Sequence, residues 1–306
     1  MTDQMHVIVV MAPSGALVNR MLIENAVSAV QGQIVEAHRV AVPVSLVDHR
    51  EVIKFLIDCP DPERLSAQLR QLSDEHGADI ALQSRLSRCR PYGLAVFDMD
   101  STLISCEVID ELARVAGVGA EVAEITDRAM RGELDFDESF RTRLALLKGL
   151  DAGAVDELAD QLPVQSGLSE MATTLKARGL KLAIFSGGFI PIAERLKNDY
   201  GFDHVVANEL EIRDGKVTGK IVPPIVNREY KAEALGALAS RLGIHTEHCI
   251  AVGDGANDLS MMALAGLGVA FHAKPAVRAA SPIEITHIGL DGVCYLMGHE
   301  GEFAVA

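Results

Sequence analysis

The 306-residue chain lacks what a membrane or polyanion partner would demand. No apolar run approaches the roughly 20 residues of a membrane-spanning helix. Met1-Thr2-Asp3-Gln4 has neither the basic n-region nor the apolar h-region of a signal peptide. The expectation is a cytoplasmic protein with no membrane partner. Positive charge is scarce: 28 Lys and Arg face 43 Asp and Glu, for a net charge of −15. Nucleic acid and anionic membranes both require a basic face, so no nucleic acid is expected. An anionic small molecule stays open, because a pocket can be positive on an acidic protein. Cysteine is sparse as well. Cys59, Cys89, Cys106, Cys249 and Cys294 are odd in number, scattered and without a C-x-x-C pair, which reads as reduced thiols.

Two common ligand loops are also missing. Gly215 to Lys220 is one residue short of the phosphate loop G-x-x-x-x-G-K-[ST], and Ile221 stands where Ser or Thr is required. Counted from Asp98, an EF-hand needs Gly at its sixth position and Glu at its twelfth. Leu103 and Ile109 stand there.

What is present is a soluble globular composition, 49% hydrophobic and 23% charged, at a length that favours two domains. The first ninety or so residues read as one of them. His6 to Met11 is an apolar β-branched run, a strand, broken by Pro13-Ser14-Gly15 with Ser14 as a candidate N-cap. Ile23, Ala26, Val27 and Val30 mark one face of a helix ended by Gly32. Strands follow at Ile34 to Val42 and Val52 to Ile57, with Asp48-His49 in a turn between them. Asp61 and Pro62 open a helix with Leu65, Leu69 and Leu72 on its buried stripe, and Gly77 stops it before a strand at Ala78 to Leu82. The order is β-α-β-β-α-β. Arg85 to Pro91, basic and closed by proline, reads as the linker.

The chemistry lies beyond it. Leu94-Ala95-Val96-Phe97 is a short apolar run of the kind that forms a buried parallel strand. It runs into Asp98-Met99-Asp100-Ser101-Thr102. Ligands bind at the carboxyl ends of such strands. Two carboxylates there suit a metal, a nucleophile with an acid/base partner, or a capped turn. Helical patterns follow at Val108 to Ala116, Val122 to Met130, Phe136 to Lys148 and Ala154 to Leu162. A strand pattern returns only at Leu180 to Phe185, so a small helical bundle follows the first strand as a lid.

Ser186-Gly187-Gly188 ends the second strand, where glycines let backbone N–H groups approach an anion. Glu209 to Gly219 reads as a hairpin about Asp214-Gly215, and Lys231 begins an Ala/Leu-rich helix running to Gly243. Ile250-Ala251-Val252 is another buried strand. It enters Gly253-Asp254-Gly255-Ala256-Asn257-Asp258, so Asp98, Asp100, Asp254 and Asp258 form an oxygen-rich set suited to Mg²⁺. Ser281 onward reads as a last strand and a short helix.

Phe97-Asp98-Met99-Asp100-Ser101-Thr102, Phe185-Ser186-Gly187-Gly188, Lys231 and Gly253-Asp254-Gly255-Ala256-Asn257-Asp258 together resemble the motifs of the haloacid dehalogenase (HAD) superfamily of phosphatases. The resemblance covers Leu94 to roughly the C-terminus. It extends to the members that act on O-phospho-L-serine, through Glu107-Val108-Ile109-Asp110-Glu111, Met130, Phe136 and Arg143. It implies an α/β fold: a Rossmann-like core with a parallel sheet over 91–306 and a helical-bundle cap at about 107–165. Residues 1–90 resemble, in topology and length, the ferredoxin-like βαββαβ ACT-like domains appended to enzymes of amino-acid metabolism. That second resemblance implies a homodimer and an amino-acid effector, with a plain dimerisation or structural module as the alternative.

The implied activity is Mg²⁺-dependent hydrolysis of a small phosphoester, O-phospho-L-serine, to L-serine and phosphate through an aspartyl-phosphate, the last step of serine biosynthesis. Asp98 is then the nucleophile and Asp100 the general acid/base. Mg²⁺ is held by Asp98, Asp254 and the main-chain carbonyl of Asp100, with Asp258 and Asn257 behind. Ser186, Gly187 and Lys231 take the phosphate oxygens. Glu107 pairs with the substrate ammonium and Arg143 with its carboxylate, while Met130 and Phe136 exclude water. Another small phosphate ester as substrate, or a phosphotransferase, would keep the catalytic residues. A non-enzymatic amino-acid sensor would leave them unexplained.

Overall fold

The computed structural model describes residues 5–42, 50–130, 133–298 and 303. The chain begins β1 (Met5–Ala12), α1 (Arg20–Ala29), β2 (Gln33–Val40), β3 (Glu51–Asp58), α2 (Pro62–His76), β4 (Asp79–Ser84) and α3 (Arg85–Arg88). It continues β5 (Leu94–Phe97), α4 (Val108–Ala116), α5 (Gly119–Met130), α6 (Phe136–Leu146), α7 (Gly153–Ala159), α8 (Leu168–Ala177), β6 (Lys181–Phe189) and α9 (Ile190–Tyr200). Then come β7 (His204–Arg213), β8 (Lys216–Val222), α10 (Arg228–Arg241), β9 (Cys249–Gly253), α11 (Leu259–Leu264), β10 (Leu267–Phe271), α12 (Pro275–Ala280), β11 (Glu284–Ile285) and α13 (Gly292–Leu296). Among the described residues no helix is long and apolar enough to cross a membrane.

The first four strands form an antiparallel sheet of order β2-β3-β1-β4, the split pattern expected from the sequence. β1 is apolar from Val7 to Ala12 because both of its faces are buried. Ile8 and Val10 pack beneath α1 and α2 with Ile23, Val27, Leu65 and Leu69. Val7, Val9 and Met11 face the other way, in one core with Leu290, Val293 and Leu296. The α1 cap is Asn19, whose side chain accepts the Leu22 N–H at 3.1 Å, and not Ser14. A left-handed turn at Gly15 comes first, so the helix starts later than the Pro-Ser-Gly signal suggests. Asp61 and Gly77 cap α2 as the sequence predicts. The Asp48-His49 turn lies outside the described residues.

Arg85 to Pro91 is not a solvated linker. Ser84 caps a one-turn helix there, and Arg88 is fully buried. Its guanidinium donates to the carbonyls of Tyr295, Leu296 and Met297. The basic character read as linker composition is a charge answering carbonyl oxygens that would otherwise be buried without a donor. Two more buried groups tie the same regions together. Asp79 accepts N–H bonds from Thr286, His287 and Ile288, and Arg50 pairs with Asp291 at 2.6 Å.

The second sheet has the order β11-β10-β9-β5-β6-β7-β8. Every pairing in it is parallel except β7 with β8. That last pair is the expected hairpin, turned by Asp214 and Gly215 at φ 51° and 74°. The chain leaves β5 for β6 on one side, and β9 lies on the other. This reversal of strand order opens a crevice at the carboxyl ends of β5, β6 and β9. Helices α4 to α8 intervene between β5 and β6, and an isolated bridge, Ile104 to Val164, closes the excursion made by α4 to α7. The sequence reading missed α8, although Leu168, Met171, Ala172 and Leu175 carry its buried i, i+3, i+4, i+7 stripe. β6 runs on through Ser186-Gly187-Gly188 to Phe189, with its pairing to β7 interrupted between Phe185 and Phe189. α10 starts at Arg228 under an Asn227 cap, so Lys231 sits one turn inside it.

Candidate active site

The crevice is a cavity of about 430 Å³. Its floor comes from strand ends: Asp98 and Asp100 after β5, Gly187 and Gly188 on β6, and Asp254, Gly255 and Asn257 after β9. Its roof comes from the helical excursion, with Glu107 at the N-cap of α4, Asp110 on α4, and Phe136, Phe140 and Arg143 on α6. Eight of the residues singled out in the sequence therefore meet on one surface. Ser186, Lys231 and Asp258 stand immediately behind it, all fully buried. Met130 ends α5, and its side chain lies outside the described residues.

Asp98 is placed by the sheet: its N–H continues the ladder to Val252 O at 2.9 Å, and Oδ1 accepts from Met99 N at 2.7 Å. Lys231 Nζ reaches Asp98 Oδ1 and Asp258 Oδ1, both at 2.7 Å. Burial disfavours that ammonium, but Asp258 and Asp98 outweigh it and hold Lys231 well above the usual lysine range. Asp258 also accepts the Gly255 N–H at 3.0 Å. A Cβ on Gly253 would come within 2.4 Å of the Asp258 carboxyl, so only glycine lets β9 end this close to it.

The acidic groups crowd one another. One carboxylate oxygen from each of Asp98, Asp254 and Asp258 falls within 4.8 Å of the other two, and all three residues are buried. Lys231 answers only Asp98 and Asp258. Asp254, with Thr102 Oγ1 at 3.2 Å, is pushed up to about 7 by burial, then by Asp98 and Glu107. Burial and Asp98 push Asp258 up against the pull of Lys231. Three buried hard-oxygen donors with one ammonium among them leave uncompensated negative charge, and a divalent cation fits that donor set. The carboxylate of Asp100 is not part of the cluster.

Asp100 is set apart from Asp98 by its surroundings. Oδ2 accepts the Val108 N–H at the start of α4 at 3.3 Å, and Oδ1 is buried without a partner among the described residues. Burial, Glu107 and Asp98 raise it well above the ordinary carboxylate range. Two aspartates two residues apart are thereby set in different surroundings, Asp98 paired with a lysine and Asp100 inclined to hold its proton.

On the roof, Ser101 Oγ donates to Glu107 Oε1 at 3.0 Å from a backbone at φ 58°. Arg143 Nε is buried without a partner among the described residues, a donor left for something in the cavity. Phe136 is 40% exposed and stacks on Phe140 with centroids 6.3 Å apart. On the floor, Ser186 Oγ accepts the Gly188 N–H at 2.8 Å. The sequence motifs include Ser101, Thr102 and Asp110 without assigning them a role, and the sequence reading missed Asn208 and Lys274. Lys274 lines the cavity after β10, at another carboxyl strand end, and that position was the available signal.

Known proteins resemble this chain in sequence and in fold. The family of haloacid dehalogenase-like hydrolases matches residues 95–263. The chain is 45% identical over 234 residues to the phosphoserine phosphatase SerB2 of Mycobacterium tuberculosis, a match spanning 76% of this chain and 57% of that protein. A HAD family hydrolase from Salmonella enterica superposes with a TM-score of 0.85 at 32% identity, over 97% of this chain and 99% of that one. A phospho-aspartyl intermediate analogue of phosphoserine phosphatase gives a TM-score of 0.64 at 40% identity, over 68% of this chain and 99% of that one. The chain belongs to the haloacid dehalogenase-like hydrolases and, within them, to the phosphoserine phosphatase family.

Proposed function

We propose that the protein hydrolyses O-phospho-L-serine to L-serine and phosphate, with Mg²⁺ as cofactor, in the cytoplasm. One observation carries this reading: the Asp98–Lys231–Asp258 ion pairs lie under a roof that presents Arg143, whose Nε has no partner among the described residues, beside the carboxylates of Glu107 and Asp110. Phosphoserine has a phosphate for the first and a carboxylate and an ammonium for the second. Kinship with phosphoserine phosphatases supports the same substrate.

In this reading an Asp98 carboxylate oxygen attacks phosphorus as the phosphorus–serine oxygen bond breaks. Asp100, raised by burial and inclined to be protonated, gives its proton to the departing serine oxygen. It then takes a proton from the water that attacks the aspartyl-phosphate, which releases phosphate and restores Asp98. Lys231, Ser186 Oγ and the Gly187 N–H hold the phosphate oxygens. Arg143 takes the substrate carboxylate and Glu107, held by Ser101, its ammonium. Phe136 excludes water. Mg²⁺, held by Asp98, Asp254 and the Asp100 carbonyl with Asp258 and Asn257 behind, would offset the repulsion between anionic nucleophile and anionic phosphate. For residues 1–90 we propose an ACT-like module that makes a homodimer and takes an amino-acid effector, supported by the antiparallel β2-β3-β1-β4 order.

The test is phosphate release from a panel of phospho-amino acids and sugar phosphates, with Mg²⁺ and with EDTA. Preference for phosphoserine that EDTA abolishes is expected. Equal rates across the panel would overturn the substrate assignment.

A further inference from the structure

Asn208 is a polar residue in the interior of β7, where asparagine is disfavoured, and it is fully buried. It sits opposite Phe189, where β6 resumes pairing after the break that carries Ser186-Gly187-Gly188. Its Nδ2 donates to Gly187 O at 2.7 Å, and its Oδ1 accepts the Val226 N–H at 2.9 Å. One amide thus joins two segments far apart in sequence. One is the floor loop on β6. The other leads into Asn227, the cap of the helix that carries Lys231.

The Gly187 side matters most. Gly187 O and the Gly188 N–H belong to the same peptide unit. Asn208 holds that unit by its oxygen, and Ser186 Oγ accepts from its N–H at 2.8 Å. With an N–H directed at its oxygen, the Ser186 hydroxyl keeps its own proton available as a donor. Rotation of this peptide would remove the N–H and leave Ser186 free to turn.

We propose that Asn208 is a positioning residue for phosphate binding: it locks the Gly187–Gly188 peptide so that Ser186 presents its hydroxyl proton to a phosphate oxygen. The proposal rests on the phosphatase reading for the ligand class and does not depend on which phosphoester is the substrate.

Asn208→Asp isolates the Gly187 side, since a carboxyl still accepts from Val226. Protonated, it can also donate to Gly187 O, as the amide does. Ionised, it presents an oxygen to an oxygen and repels it. The readouts are phosphoester turnover against pH and binding of inorganic phosphate by calorimetry. The expected result is a loss of 10-fold or more in phosphate affinity and kcat/KM at alkaline pH. The variant-to-wild-type ratio should recover as pH falls, with no change in preference between phosphoserine and an ester lacking the carboxylate. In a Ser186→Ala background the same substitution should cost less than 3-fold. A pH-independent ratio with full phosphate affinity, or full additivity with Ser186→Ala, overturns the proposal. If N208D does not fold, Asn208→Ser, too short to span both backbone groups, is expected to show the same loss of phosphate binding and the same non-additivity; wild-type affinity in it overturns the proposal. Intact phosphate binding by a wild type that does not turn over phosphoserine would sink the substrate reading alone.

Discussion

Replacing Lys231 by methionine is the most demanding test of the site. The ammonium lies 2.7 Å from a carboxylate oxygen of Asp98 and 2.7 Å from one of Asp258, and its side chain is 0% exposed. At an effective dielectric near 20, each contact is worth about 6 kcal/mol of attraction, much of it offset by the desolvation of three charges. Removing one partner of a buried pair leaves that desolvation uncompensated and costs about 3–5 kcal/mol. Here two carboxylates are orphaned, so the upper end of that range applies. In a domain of this size the loss lowers Tm on the order of 10 °C. Turnover should fall about 10²–10³-fold, the usual cost of removing one preorganised charge from a transition state. The assays are guanidinium unfolding in EDTA, repeated with Mg²⁺, and phosphate release at saturating substrate. Methionine matches lysine in length, so packing is preserved and the deficit is one of charge. A cation bound among the carboxylates should recover part of the stability and little of the rate. K231M as stable as wild type in EDTA would refute the reasoning that this lysine holds the acidic cluster together.

Asp98→Asn should abolish turnover yet leave stability within about 1–2 kcal/mol. Its attraction to Lys231, about 6 kcal/mol, is offset by repulsions of at least about 3.5 kcal/mol from each of two carboxylates that lie within 4.8 Å. A folded variant retaining substantial phosphate release would remove Asp98 as the nucleophile. Arg143→Ala should raise KM far more for phosphoserine than for a phosphate ester without a carboxylate; equal increases would take Arg143 out of substrate recognition. The metal-free protein should lose stability as pH rises. Asp254 is raised in the fold to about 7 from an ordinary 3.8, so the folded state binds the extra proton between those values. The contribution is complete below about pH 4 and gone above about pH 7, worth about 4 kcal/mol. Chemical denaturation across this range in EDTA, wild type against Asp254→Asn, checks it, and identical slopes would sink the assignment.

Much of this was legible in the residues. Leu94 to Phe97 and Ile250 to Val252 are apolar at every position because both faces of a central parallel strand are buried, and the carboxyl end of such a strand is where ligands bind. Asp98, Asp100 and Asp254 could therefore be placed before any contact was known. Asp61, Pro62 and Gly77 announced α2 because capping is a local transaction between a side chain and a neighbouring backbone.

Other features have no local signature. Arg88 looked like linker because its partners, the carbonyls of residues 295–297, lie some two hundred positions away. Asn208 gave no signal in the sequence because both groups it holds belong to other segments. By itself the sequence determined which residue types can carry charge, which strands are central, and where α2 starts and stops. Only the tertiary structure decided that Lys231 is shared between two carboxylates, that Asp100 is cut off from the cluster that holds Asp98, and that Arg143 reaches the cavity with a donor unused. Those outcomes follow from distances across strands and helices far apart in the chain, and burial sets the energy of a charge at such distances.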